Sequence, residues 1–333
     1  MPALFVAYED RLLRVGRFED GWQSDRVLAG PNVEGVAAHP ETAETVFCAT
    51  FDRGLQRSTD AGDDWERVGE DVIDPTAVTA VAVDPTDPDV VYAGTEPSRV
   101  YRSSDRGDTW RHAAGLTDLP SEPQWSFPPR PETHHVRWIE VDPTAPGRVY
   151  VSIEAGAIVR TEDGGETWTD RVASAPRDAH WLATHEDAPG RAWVAAGDGY
   201  AETDDGGDTW EQPMDGLAAR YCWSLAVDPG DPDTVLLSAA SGPRTAHRPD
   251  AAESFLYRRR DGEDWTRLGD GFPDGEGVLR PVVAPGFDGG EFFVASNRGL
   301  YRTPDAGDSW ATFDADWPPT LASQTPRGIA VVP

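Results

Sequence analysis

Short apolar runs recur along the chain in a fixed order. A run ending in Asp-Pro or an equivalent comes first ("TAVAVDP"), a second follows ("VVYAGT"), then a third ("RVYRSS"), and a fourth begins at a tryptophan. Alternation of apolar and polar residues over such short spans, bounded by Gly, Pro and Asp, predicts half-buried β-strands. The first-strand slot is filled seven times, by "GVAAHP", "AVAVDP", "WIEVDP", "WLATHED", "SLAVDP", "RPVVAP" and "GIAVVP". The second-strand slot is also filled seven times, from "LFVAY" to "EFFVAS". Repeats of roughly 40–50 residues, each of four short strands, predict the blades of a β-propeller. The chain starts on a second strand and ends on a first, so residues 327–333 are expected to pair with 3–29 and close the ring without free edges. The expectation is an all-β, seven-bladed propeller of four-stranded antiparallel blades, forming one domain over 1–333.

The turn before the fourth strand repeats as "RSTDAGDDW", "RSSDRGDTW", "RTEDGGETW", "ETDDGGDTW" and "RTPDAGDSW", with a shortened copy ending at Trp265 and a degenerate one at Asp20–Trp22. An acid beside a tryptophan invites a catalytic or sugar-binding reading. A catalytic group is needed once, however, and a repeated unit stacks to bury a continuous core. The expected role is structural: the Asp accepts hydrogen bonds from its own turn, Gly107 and Gly165 take positive φ, and the Trp packs between sheets.

In an up-and-down blade these turns share one face with the Asp-Pro turns. The irregular insertions 115–134, 242–253 and 315–326 fall on the other, which is where binding residues concentrate. Counting back six positions from the proline or its counterpart in each first strand gives Glu34, Thr79, Arg137, His180, Trp223, Leu279 and Arg327, a ring expected at the channel mouth on the variable face. Trp138, Trp181 and Arg280 stand one position inward, and His134, His135, Arg220 and Tyr221 just outward. Glu154 and His247 come from the same face. Arginines as bidentate clamps and aromatics as stacking surfaces suit a polar or anionic small molecule, with His134, His135, Arg137, His180, Arg220, Tyr221, Trp223, His247, Arg280 and Arg327 as ligand-binding candidates. The competing reading makes Arg327–Glu34 an inter-blade ion pair and the tryptophans core filler. No cofactor is expected beyond a divalent metal, for which His135, His180 and His247 are the candidate ligands; His134 and His135, adjacent on an extended chain, point to opposite sides.

Charge narrows the partners. The chain carries 59 acidic and 29 basic residues in 333, a formal net charge of −30, and every basic residue except the histidines is arginine. Such a field disfavours nucleic acid and anionic membranes. The acids are interleaved with 13 tryptophans, which indicates a packed core and suggests a salt-rich cytosol in which carboxylates keep the surface hydrated. No apolar run is long enough to cross a bilayer and no export signal stands at the start, so a cytoplasmic monomer is the expectation. Cys48 and Cys222 sit in strand-like runs and are expected to be buried and inert.

The Ser/Thr-x-Asp-x-Gly-x-Thr-Trp turn resembles the Asp-box, or BNR, repeat of sialidase-like propellers and of a group of photosystem assembly factors. The resemblance covers the whole chain and implies the propeller fold, on which hydrolases, receptors and assembly factors all occur. Its sialidase branch implies an arginine triad, a tyrosine nucleophile and acidic partners. Arg137, Arg280, Arg327, Tyr221, Glu34 and Glu154 supply those residue types, with His180 as a further catalytic candidate. No Arg-Ile-Pro motif stands near the start and seven blades replace six, so sialidase activity proper is not expected. Two functions remain: a glycoside-type hydrolase of unknown substrate, or a non-catalytic propeller binding a protein partner, for which a broad apolar or arginine-rich patch is the expected sign.

Overall fold

A computed structural model of the chain describes residues 3–18, 21–30, 32–313 and 317–333. Seven small antiparallel sheets form a closed ring, a β-propeller. The seven inner strands are Val33–Ala38, Val78–Asp84, Val136–Val141, Ala179–Ala183, Tyr221–Asp228, Val282–Pro285 and Pro326–Val332. The last of these pairs antiparallel with Ala3–Tyr8, with Phe5 opposite Ala330, so both ends of the chain build one blade. Five sheets have four strands. In the other two the fourth strand shrinks to single bridges, Arg160–Thr169 and Glu202–Glu211.

Each interface between adjacent blades holds its own apolar cluster, and the turn tryptophans fill them one by one. Trp110 packs with Phe47, Leu55 and Ile73 of the preceding blade, and Trp210 with Tyr150 and Ile158. Trp265 and Trp310 sit likewise against the blades before theirs. The turns themselves are hydrogen-bonded cages. In the copy at 161–168 the Thr161 hydroxyl accepts from Gly165 N–H (2.9 Å) and donates to Asp163 (2.7 Å), which also accepts from Thr167 N–H (2.8 Å) and hydroxyl (2.7 Å). Those donors, the Thr167 hydroxyl first, hold the Asp163 carboxyl down at about 2. Gly107 and Gly165 take φ of 86° and 91°. The corresponding copy at Asp20 lies outside the described residues. Asp163→Ala is expected to cost about 1 kcal/mol, the usual loss for a side chain that caps orphan N–H groups, and to lower the melting temperature in a thermal melt.

Arginine forks tie the turns to neighbouring blades. Arg14 donates to Ala61 O (2.9 Å) and Asp63 (2.8 Å), Arg57 to Arg106 O (2.7 Å) and Asp108 (2.6 Å), and Arg258 to Ala306 O (2.8 Å) and Asp308 (2.7 Å). In each case a single Nη1 donates one N–H to the carbonyl and the other to the carboxylate. Cys48 and Cys222 are free and fully buried, and burial pushes both thiols up, so neither is a ready nucleophile.

Candidate functional site

The mouth of the central channel is built by a repeated irregularity. In six of the seven inner strands the ladder skips one residue, and the skipped residues are Glu34, Thr79, Arg137, His180, Trp223 and Arg327. A bulge leaves its extra residue unpaired and re-aims the side chain; five of the six line one cavity of about 380 Å³. The sixth, His180, is fully buried behind it, its ring 4.6 Å from that of Trp223 and 5.1 Å from that of Tyr221. The seventh blade differs from expectation. Leu279 is buried with its N–H bonded to Asn297 (2.9 Å), and Arg280, at φ 30°, enters the cavity in its place. Pro281 has no N–H for the ladder and the strand begins only at Val282, so a backbone turn replaces the bulge.

Of the other sequence-derived candidates, His135, Glu154, Tyr221 and His247 also line the cavity. His134 and Arg220 do not. His134 turns into its own insertion, edge-on to Trp125 and 3.4 Å from Glu122, because the residue next to it on the extended chain, His135, takes the inward direction. Arg220 is exposed, its Nε bonded to Leu217 O (3.4 Å). Residues from all three insertions reach the site: Phe127 and Arg130 from the first, Pro243 and His247 from the second, and Thr325, bonded to Arg280, from the third. Residues 315 and 316 of that last insertion lie outside the described residues. Glu96, Arg130 and Asp178 line the cavity although the strand alignment does not point to them. They lie outside the inner strands and hence outside the alignment; only their charge marks them.

The charges are unevenly paired. Arg130 forms a two-bonded fork on Glu96 (2.8 and 2.5 Å), and Arg327 lies 3.4 Å from Glu9 and 3.6 Å from Glu34. Arg137 approaches Glu154 only to 3.5 Å, and its Nε and Nη2 have no hydrogen-bond partner. Among the described residues Arg280 reaches no carboxylate; it donates to Thr325 (3.0 Å), and its Nε is unpartnered there. Both guanidinium groups are 5% exposed and stack on Trp223, 4.9 and 4.1 Å from its ring centre. Burial, reinforced by the neighbouring Arg327 charge, lowers the Arg280 guanidinium to about 9 and depresses that of Arg137. Burial opposes ionisation of Glu154, but His135 (3.0 Å), His180 and Arg137 overcome it and hold the carboxyl well below its ordinary value. The Tyr221 hydroxyl meets His247 Nε2 at 3.0 Å. Burial, and then the Arg280 charge, lowers His247 to about 4, while burial raises the phenol, so at neutral pH a protonated phenol shares this hydrogen bond with a neutral imidazole. That protonation makes Tyr221 a poor nucleophile.

The histidine trio does not assemble as a metal set. His135 is engaged by Glu154 and His247 by Tyr221. Among the described residues, the potential ligands that converge within 4.8 Å are Glu154, Asp178 and His180.

Beyond the ring the channel turns apolar. Trp138 and Trp181 stack face to face (3.6 Å, 27°) and, with Val81, Val83 and Val331, line a second space of about 560 Å³. Glu140 sits in that wall, bonded by Thr184 N–H and hydroxyl (2.9 Å each) and by Trp138 Nε1 (3.3 Å), and burial raises its carboxyl to about 7.

No protein-family model and no curated protein matches the chain. Solved structures with the same fold include an ancestral GH74 enzyme (TM-score 0.67, 18% identity, 88% of this chain and 40% of that one) and the GH74 xyloglucanase from Xanthomonas campestris (0.66, 18%, 93% and 52%). YCF48 bound to D1 peptide is another (0.55, 17%, 84% and 82%). The chain spans about half the length of the GH74 structures or less. At these identities the likeness establishes the propeller fold. No helix among the described residues is long and apolar enough to cross a membrane.

Proposed function

We propose that the channel mouth binds a small anionic molecule carrying a carboxylate or phosphate group, held by Arg137, Arg280 and Arg327 against the Trp223 ring. The observation that carries this reading is the pair of buried guanidinium groups with unpartnered N–H donors facing one cavity. Buried donors are nearly always satisfied, and an unpaired buried cation is costly until an anion meets it. The protein-binding alternative is less well supported at this face, because the site is a narrow, mixed-polarity funnel instead of a broad patch. YCF48 with its D1 peptide keeps that alternative in view for the other surfaces of the ring.

A hydrolytic reading has one observation in its favour: Glu154 and Asp178 stand on one wall of the funnel with oxygens within 4.8 Å. Paired carboxylates are what glycoside hydrolysis needs, and GH74 enzymes share the fold. Calorimetric titration with sugar phosphates, uronic acids and dicarboxylates, each beside its uncharged counterpart, tests the binding proposal. Saturable binding of the charged member of a pair is expected. Equal heats from charged and neutral members, or none from either, would sink it. Aryl glycosides incubated with wild type and Glu154→Gln test the hydrolytic reading; release that the substitution leaves untouched counts against it.

A further inference from the structure

We infer that Glu154, Asp178 and His180 bind one divalent transition-metal ion on the wall of the cavity. The starting point is the proton on His180. Its Nδ1 lies 2.7 Å from the carbonyl oxygen of Cys222, which can only accept, so Nδ1 carries the hydrogen. Nε2 is thus the ring nitrogen left to coordinate; the ring is fully buried, and Nε2 has no hydrogen-bond partner among the described residues.

A carboxylate oxygen of Asp178 stands near that nitrogen. Asp178 Oδ2 is 3.7 Å from Nε2, beyond hydrogen-bond range, while Oδ1 is fixed by the N–H of Ala155 (3.1 Å). Glu154 supplies a third potential ligand: its contacts to His135 and Arg137 both use Oε2. Three potential ligand atoms that converge, one of them a buried imidazole nitrogen with no partner, describe a cation site. An imidazole whose far nitrogen donates to a backbone carbonyl is the usual second sphere of a metal-ligating histidine. Neighbouring ligands about 2.1 Å from one ion stand about 3.0–3.4 Å apart; His180 Nε2 and Asp178 Oδ2, at 3.7 Å, are close to that already, and a set within 4.8 Å has to draw in by about an ångström at its widest. One imidazole nitrogen with two carboxylate oxygens suits Mn²⁺, Fe²⁺ or Zn²⁺, whereas Ca²⁺ and Mg²⁺ prefer oxygen alone. Asp178 and Glu154 line the cavity, so the remaining coordination positions open towards it. The site rests on the convergence of these three ligand atoms and on the unpartnered Nε2, independently of the anion proposal.

The full-length chain, stripped with chelator, is titrated with Mn²⁺ and separately with Zn²⁺ by calorimetry and, for Mn²⁺, by electron paramagnetic resonance. Molar KCl suppresses loose binding to a chain of net charge −30. One equivalent per chain is expected, with affinity reduced more than about 10-fold in each of Asp178→Asn, Glu154→Gln and His180→Gln. Asp178 is a third exposed, so Asp178→Asn keeps the test decisive if the buried variants fail to fold. Absence of a saturable equivalent in wild type, or unchanged affinity in a folded Asp178→Asn, overturns the inference. Anion titration of the metal-free protein is read separately, so failure of one proposal is distinguishable from failure of the other.

Discussion

Arg280→Met is expected to weaken binding of the anionic ligand by about 100-fold while raising the melting temperature of the ligand-free protein. Arg280 is 5% exposed and, among the described residues, reaches no carboxylate and makes one side-chain hydrogen bond, to Thr325. Hydrogen bonds from a charged donor contribute about 1.5–3 kcal/mol each, and the loss of about 2.7 kcal/mol corresponds to that 100-fold change. Without ligand the same charge is a burden. With its guanidinium lowered to about 9, the group costs stability throughout the neutral range, and that cost is relieved only as pH rises through about 9. Methionine of similar length removes the unpaired charge and keeps the contact with Trp223; comparable replacements of buried ionic groups have gained about 1–4 kcal/mol. Thermal melts and calorimetry on one preparation check both halves, and ligand should raise the melting temperature of wild type much more than that of the variant. A lower melting temperature in unliganded Arg280→Met would show that the side chain is a structural strut.

The channel wall on the other side of the ring makes a prediction of opposite sign in pH. Glu140 has its carboxyl raised to about 7 by burial, despite three hydrogen bonds that favour the charged form. In the unfolded chain it titrates near 4.5, so between about 4.5 and 7 the unfolded state releases a proton that the folded state keeps. Stability therefore falls as pH rises through that window and levels off above it. Glu140→Gln keeps an acceptor for Thr184 and removes the ionisation, and should be more stable than wild type at pH 8 by on the order of 2 kcal/mol, with no difference in slope below the window. Chemical denaturation at a series of pH values measures this; parallel pH profiles for the two proteins would contradict it. Asp163 and Asp205, both held down at about 2, act in a lower range and do not overlap.

The blade count, the closing strand and the arginine-bearing ring were legible because each depends on a period. Strand alternation repeats in every blade, and the run from Gly328 to Val332 continues it at the last position in the chain. The ring alignment survived the bulges because six blades carry the same one in the same place, so counting back from the proline stays in register. It failed at the seventh, where Arg280 and not Leu279 turns inward, because a positive φ before a proline leaves no periodic trace. Glu96, Arg130 and Asp178 were missed for the same reason: they belong to connections of unequal length, and what brings them to the funnel is the closure of the ring. The stretch at 134–137 shows both sides of this. Alternation separates His134 from His135 correctly, while the partners of His135, Glu154 at 3.0 Å and Glu96 at 3.6 Å, come from two different blades.

The repeated bulge makes the rim an editable surface. A residue that belongs to the ladder answers to the strand opposite it, and changing it disturbs pairing. Glu34, Arg137, Trp223 and Arg327 each stand outside the ladder count and face the cavity, whereas Thr79 and His180, skipped in the same way, are tied to the backbone of the next blade. A library randomised at the four cavity-facing codons would sample new specificities on a frame whose strand pairing is left intact.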